Sequence, residues 1–219
     1  MFPLSLNPLQ IIAMAIGLLL GIDVHECAHA WAANELGDPT ARYQGRLSLN
    51  PLVHLDPMGT LMMLFSLFYG FGIGWGKPVP VNPWNLRRGR VDQGMVALAG
   101  PASNLVLAAI LAVPFRLGLL GAGLIGSFWL TLISVNVSLA LFNLLPVPPL
   151  DGASVLIGIF SAIRQPWAYE WAQTLERLES QAPMVFMILI IADQMLGGRI
   201  LGFILRGPYL FIVRSLLGM

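Results

Sequence analysis

Long apolar stretches dominate this chain, and the few polar positions between them divide it into helix-length segments. The run from Leu9 to Leu36 ends at Gly37-Asp38-Pro39, a helix-stopping sequence. It predicts a helix of about 42 Å, ample for crossing the hydrocarbon of a bilayer. Arg42 to Leu49 alternates weakly between polar and apolar and ends at Asn50-Pro51, which predicts a short strand. Met58 to Ile73 is apolar and fits either a short span or a re-entrant segment. Gly76 to Asn85 holds Pro78, Pro80 and Pro83, which exclude a helix and favour an extended edge strand or loop. Gln93 to Phe115 is 23 residues without a charge and predicts a span. Leu117 to Leu150 is also uncharged but too long for one straight helix, so a helix is expected to start near Leu124 and break at Pro146.

Beyond that break the segments shorten. Ala153 to Ile163 makes about 17 Å of helix, too little to cross alone, and is expected to pack among the other helices. Trp167, Trp171, Leu175 and Leu178 fall on one helical face, opposed by Glu170, Glu176 and Arg177. That pattern predicts a helix lying at the membrane surface with its tryptophans at headgroup level. Pro183–Ala192 and Ile200–Val213 are further candidate spans, although Asp193, Arg199 and Arg206 interrupt their surroundings. The expected fold is an all-α polytopic membrane protein. It has about five or six membrane helices, with a small β-strand or loop element between the first and the central spans. No internal repeat suggests an inverted-repeat transporter. One integral membrane domain is expected over residues 1–219. Its core would cover about 9–164, with the surface helix and C-terminal membrane segments over about 165–219.

Composition agrees. The chain is 57% hydrophobic and 11% charged, against about 25% charged in soluble domains. A net charge of +1, with no dense basic tract, excludes a nucleic-acid partner and leaves the lipid bilayer as the expected surroundings. The single cysteine, Cys27, rules out an intramolecular disulfide. Met1 to Gln10 has no positively charged region of a cleavable signal, so the first apolar run is expected to be retained as a span.

Within that first span, Asp23, His25, Glu26 and His29 fall within seven positions. A charged group near a bilayer centre costs about 2.5–3.5 kcal/mol on insertion scales, so such residues face a partner, a cavity or an ion. His25 and His29 are four apart, which places them on one helix face about 6 Å apart along its axis. Two neutral imidazoles at that spacing can hold one zinc ion, and Glu26 is placed to act on water at such a metal. A hydrolytic zinc site needs a third protein ligand and an open fourth position. His54 and Asp56 lie nearby in sequence but follow a helix stop. Asp151 is the stronger choice, being the only charge between Arg116 and Arg164 and standing where one proline-ended helix can give way to the next.

His25-Glu26-Cys27-Ala28-His29, Ala99-Gly100-Pro101 and Asn143…Leu150-Asp151-Gly152 resemble the site-2 protease family of intramembrane zinc metalloproteases. Leu49 to Pro57 and Gly76 to Pro83 resemble its compact bacterial and archaeal branch, without a PDZ-like insertion or CBS-type tail. The resemblance implies that His25, His29 and Asp151 bind one zinc per chain and that Glu26 is the general base. It implies a multi-pass protein of a bacterial or archaeal cell membrane that cleaves transmembrane helices of other membrane proteins, often regulatory single-span ones. Asn143, Asn104 and His54 are candidates to contact the substrate, Asn143 and Asn104 against the alternative of hydrogen bonding between helices, His54 against a structural role. The extended segments Gly76–Asn85 and Arg42–Leu49 offer edges to which an unwound substrate could add as a strand. Two other classes use the same residues, a membrane zinc carrier and a catalytically silent relative that binds membrane proteins. Neither requires a glutamate beside the first histidine.

Overall fold

The computed structural model describes residues 8–69, 74–121 and 123–218. The helices are α1 (Pro8–Leu36), α2 (Thr40–Tyr43), α3 (Pro51–His54), α4 (Pro57–Tyr69), α5 (Arg90–Arg116), α6 (Leu124–Asn143), α7 (Asp151–Ala162), α8 (Pro166–Glu179), α9 (Ala182–Met195) and α10 (Arg199–Leu217). The expectation of an all-α protein holds. Four of these helices, α1, α5, α6 and α10, are long and apolar enough to cross a membrane. Four is the count among the described residues, so the expected fifth or sixth is not confirmed. The apolar helices α7 and α9 have 12 and 14 residues, short of the roughly 20 that a bilayer requires. Residues 70–73, the end of the Met58–Ile73 segment, lie outside the described residues.

The centre is a bundle in which α5 packs on α1, α6 and α7, and α1 packs on α6. Small residues allow this closeness, since helices in a membrane associate by tight packing rather than by escape from water. A Cβ on Gly94 of α5 would lie 2.9 Å from the Cα of Gly158 on α7. A Cβ on Gly17 of α1 would meet Val135 of α6 at 3.2 Å. Between α6 and α7 the chain turns through Pro146, Pro148 and Pro149, and Gly152 presses on the carbonyl oxygens of Leu144 and Leu145, so that no side chain fits there.

Of the expected β-strand or loop element, the described residues form the loop. Where a strand was expected from Arg42, the chain makes the helical turn α2 and a Gly45 turn with φ +70. The cause is Asp38, whose Oδ1 accepts the amide and hydroxyl of Thr40 at 3.1 and 2.5 Å and winds the chain just past Pro39. Among the described residues, 76–82 form no strand, only an isolated antiparallel bridge between Leu55 and Gly76, and 83–85 make a turn closed by the Asn85 amide on the Asn82 carbonyl at 3.1 Å. Three prolines cannot donate to a ladder.

At the far side, α8 buries Ala168, Ala172 and Leu175 and exposes Trp167, Tyr169 and Trp171. It is tied to α5 by Arg90 to Glu176 at 2.6 Å and to α7 by Ser154 to Glu179 at 2.9 Å. Asp193 of α9 accepts the Leu201 amide in the first turn of α10, which explains one of its interrupting charges.

Candidate metal centre

His25 and His29 project from one face of α1, one turn apart, with their rings edge-to-face and centroids 4.6 Å apart. Each ring is held from behind. The Nδ1 of His25 lies 2.7 Å from Oδ1 of Asn104, and the Nδ1 of His29 lies 2.7 Å from the carbonyl oxygen of Val96. The amide of Asn104 is oriented by its own Nδ2, which donates to the Gly21 carbonyl at 2.9 Å and to Asn136 at 3.1 Å. Both partners of the imidazoles are therefore pure acceptors, so each Nδ1 carries the proton and each Nε2 presents a lone pair.

Those lone pairs converge on Asp151. Its Oδ2 is 3.0 Å from His25 Nε2 and its Oδ1 is 3.4 Å from His29 Nε2. The ligand atoms of the three residues lie within 4.8 Å of one another, and no other such group occurs among the described residues. Two nitrogen lone pairs facing a carboxylate repel unless protons or a cation lie between them. Protonating both rings would leave two cations with centroids 4.6 Å apart inside an apolar helix, which is costly. One divalent cation satisfies all three groups at once, including the buried Oδ2 of Asp151, which has no hydrogen-bond donor. The residues fit a metal. Space for it depends on Gly100 of α5, where a Cβ would fall 2.6 Å from Cε1 and Nε2 of His25.

Asp151 reaches the site because it is the first residue of α7, delivered by the proline-rich turn after α6. The competing sequence candidates lie elsewhere. Asp56 Oδ1 accepts the Gly59 amide at 2.8 Å, at the start of α4. His54 is fully buried, its Nε2 2.8 Å from the Ser48 carbonyl and 3.8 Å from Asp23 Oδ1.

Glu26 is half-buried, and its Oε2 accepts the backbone N–H of Val79 at 3.1 Å. Asn104 is fully buried with both ends of its amide engaged, which places it behind His25. Asn143 is half-buried, and its Nδ2 donates to Leu139 in its own helix. Sequence reasoning missed the carbonyl of Val96 and the amide of Val79. Every residue carries such groups, so no residue type marks them. Asn136, a polar residue within an apolar span, was the visible signal for the network behind His25.

The helical bundle, with spans of membrane length, brings two histidines and an aspartate together where they could hold a divalent cation. The sequence model of peptidase family M50 matches residues 118–190, which include Asp151. YwhC of Bacillus subtilis, named as a candidate zinc metalloprotease, is 42% identical over 163 residues, covering 71% of this chain and 70% of that protein. Rip2 of Mycobacterium tuberculosis H37Rv, so named too, is 31% identical over 194 residues, covering 85% and 69%. MJ0611 of Methanocaldococcus jannaschii is 28% identical over 153 residues, covering 68% and 69%. No solved structure matches. The chain belongs to peptidase family M50, the site-2 protease family.

Proposed function

We propose that this protein is a zinc-dependent intramembrane endopeptidase that hydrolyses peptide bonds in or near transmembrane helices of other membrane proteins. The observation that carries the reading is the pair of imidazoles, each fixed at Nδ1, whose Nε2 atoms meet the Asp151 carboxylate within a membrane-length helix bundle. His25, His29 and Asp151 would hold one zinc per chain, two nitrogens and one oxygen with a fourth position open. When bound, zinc polarises the scissile carbonyl and makes water acidic enough to attack near neutral pH.

The chain's own residues supply the rest. Glu26 follows a ligand in sequence, and the helix turns its side chain about 100° from that of His25. It therefore stands beside the three ligands rather than among them. Its carboxylate takes a proton from the attacking water and delivers it to the leaving nitrogen. Asn104 and Val96 fix the imidazole tautomers and ring orientations. A helical peptide bond is shielded by its own hydrogen bonds, so segments that unwind easily are the expected substrates. The relatives come from two bacteria and one archaeon, which supports a multi-pass protein of such a cell membrane. The α1–α7 portion would form the catalytic core, and α8–α10 the surface helix and C-terminal membrane segments.

The test uses protein purified in detergent, metal analysis, and a panel of single-span polyleucine helices carrying central Gly, Ser, Asn or Pro pairs. About one zinc per chain is expected, with chelator-sensitive cleavage of the helices most easily unwound. His25→Ala, His29→Ala and Asp151→Ala should each lower zinc occupancy. Glu26→Gln should keep zinc and lose about 10²–10⁴-fold in rate. Full zinc in Asp151→Ala, or normal cleavage by Glu26→Gln, would overturn the assignment. Transport of zinc without cleavage would mark a carrier, and zinc without either activity a silent binding protein.

A further inference from the structure

Resting on the reading of Glu26 as proton acceptor, we propose that Val79 is a positioning residue whose backbone N–H holds the Glu26 carboxylate in its working orientation. The segment Lys77–Asn82 has few amides to give. Pro78 and Pro80 have none. The Lys77 amide donates to the His54 carbonyl at 2.7 Å, and the Asn82 amide donates to Asp38 Oδ2 at 2.6 Å, so the segment is fastened on both sides. The Arg46 guanidinium adds a third fastening, donating to the carbonyls of Val53 and, at 3.3 Å, Pro78. Midway between these anchors the Val79 amide donates to Glu26 Oε2 at 3.1 Å.

Two features make that contact a device rather than an accident of packing. Val79 lies between prolines, so its backbone is confined to extended conformations and its N–H cannot swing freely. Gly76 lets the chain pass this close to α1. A Cβ there would fall 2.7 Å from Ile22 Cγ2 and 3.4 Å from Glu26 Oε1. A glutamate side chain otherwise loses considerable rotamer freedom when it must act from one geometry. Fixing one carboxylate oxygen leaves the other for the proton transfer, and misplacement by about 1 Å can cost about 100-fold. The same contact removes the segment from the role of a free strand edge, because Val81 is left as the only amide from Lys77 to Asn82 without a partner among the described residues.

Two measurements test this, one of them independent of any substrate. In hydrogen exchange, Glu26→Ala should speed exchange of the Val79 amide about tenfold or more, and an unchanged rate would overturn the contact. In kinetics on the best polyleucine substrate, Val79→Pro removes the donor, whereas Val79→Ala keeps it. Val79→Pro should keep zinc and KM and lose about 10–100-fold in kcat, with Val79→Ala near wild type. An ester in place of the Val79 amide gives the same readout should the proline variant fail to fold. A rise in KM alone would make the segment a substrate dock, and a rise in kcat would make it an inhibitory latch. Either overturns the proposal. Wild-type kinetics for Val79→Pro with an inactive Glu26→Gln sinks only the positioning role. An active Glu26→Gln sinks the reading of Glu26 beneath it.

Discussion

Asn104 shows how much of this site depends on atoms behind the ligands. Its Oδ1 accepts from His25 while its Nδ2 is shared between Gly21 and Asn136, all buried in the helix bundle. Replacing it with leucine removes the acceptor that fixes the His25 tautomer and leaves the Gly21 carbonyl and Asn136 Oδ1 without that donor. Partners of metal-bound histidines typically account for about 10–100-fold in metal affinity. Asn104→Leu should therefore lose zinc to a competing chelator at about 10–100-fold lower chelator concentration, read by metal analysis. A substrate-contacting role, one of the two roles the sequence left open beside hydrogen bonding between helices, would instead raise KM and leave zinc retention alone. At this scale the sequence reveals side chains whose chemistry is distinctive, as with two histidines at helical spacing and one isolated aspartate. It is silent on the Val96 carbonyl and Val79 amide, because backbone groups look alike at every position.

Helices are the level at which the proposed ligands are brought together, and the contact between α5 and α7 holds the helix that carries Asp151. Gly94 and Gly158 meet backbone to backbone there, so Gly94→Ala would put a Cβ 2.9 Å from Gly158 Cα and 3.1 Å from the Ser154 carbonyl. Neither neighbour is a flexible side-chain tip. The substitution should push α7 outward, lower the temperature of thermal unfolding in detergent and weaken zinc retention together. Gly207 of α10 has nothing within 4 Å of a Cβ, so Gly207→Ala should be neutral or stabilising by up to about 1 kcal/mol. A loss of stability in Gly94→Ala with none in Gly207→Ala is the expected result. α1, α5 and α6 are legible as apolar runs with clear stops, but two features of the elements are not. The shortness of α9, which the sequence offered as a candidate span, leaves four membrane-length helices among the described residues. The turn at Thr40–Tyr43 replaces a strand because one buried carboxylate outweighs a weak alternation, and hydropathy carries no record of that bond.

Across the whole molecule, Asp38 joins the end of α1 to the segment that reaches Glu26. Gly37, at φ +113, ends α1 in a conformation suited to glycine, and the Asp38 amide returns to the Ala33 carbonyl at 2.8 Å. The Asp38 carboxylate then gathers Thr40, the Asn82 amide and, at 2.9 Å, the Asn85 side chain. Burial raises its pKa, but the donors from Thr40, Asn85 and Asn82 outweigh burial and hold it below the ordinary 3.8. A carboxyl with a depressed folded pKa gives stability that is fully present above its unfolded value and is lost as pH falls through the folded value. The contribution should therefore be constant from pH 7 to 5, begin to fall below about pH 4 and vanish only once the pH is below the depressed folded value. Asp38→Ala removes several hydrogen bonds to a charged group, a loss of about 2–3 kcal/mol. Thermal unfolding in detergent should show the variant below wild type by a steady margin between pH 7 and 5, and the margin should shrink below about pH 4 as wild type loses the charge. A margin that persists unchanged at pH 3 would mean that Asp38 acts through shape alone. Hydrogen exchange at Lys77–Asn82 should rise in the same variant, because the segment that holds Glu26 has lost its anchor on Asp38.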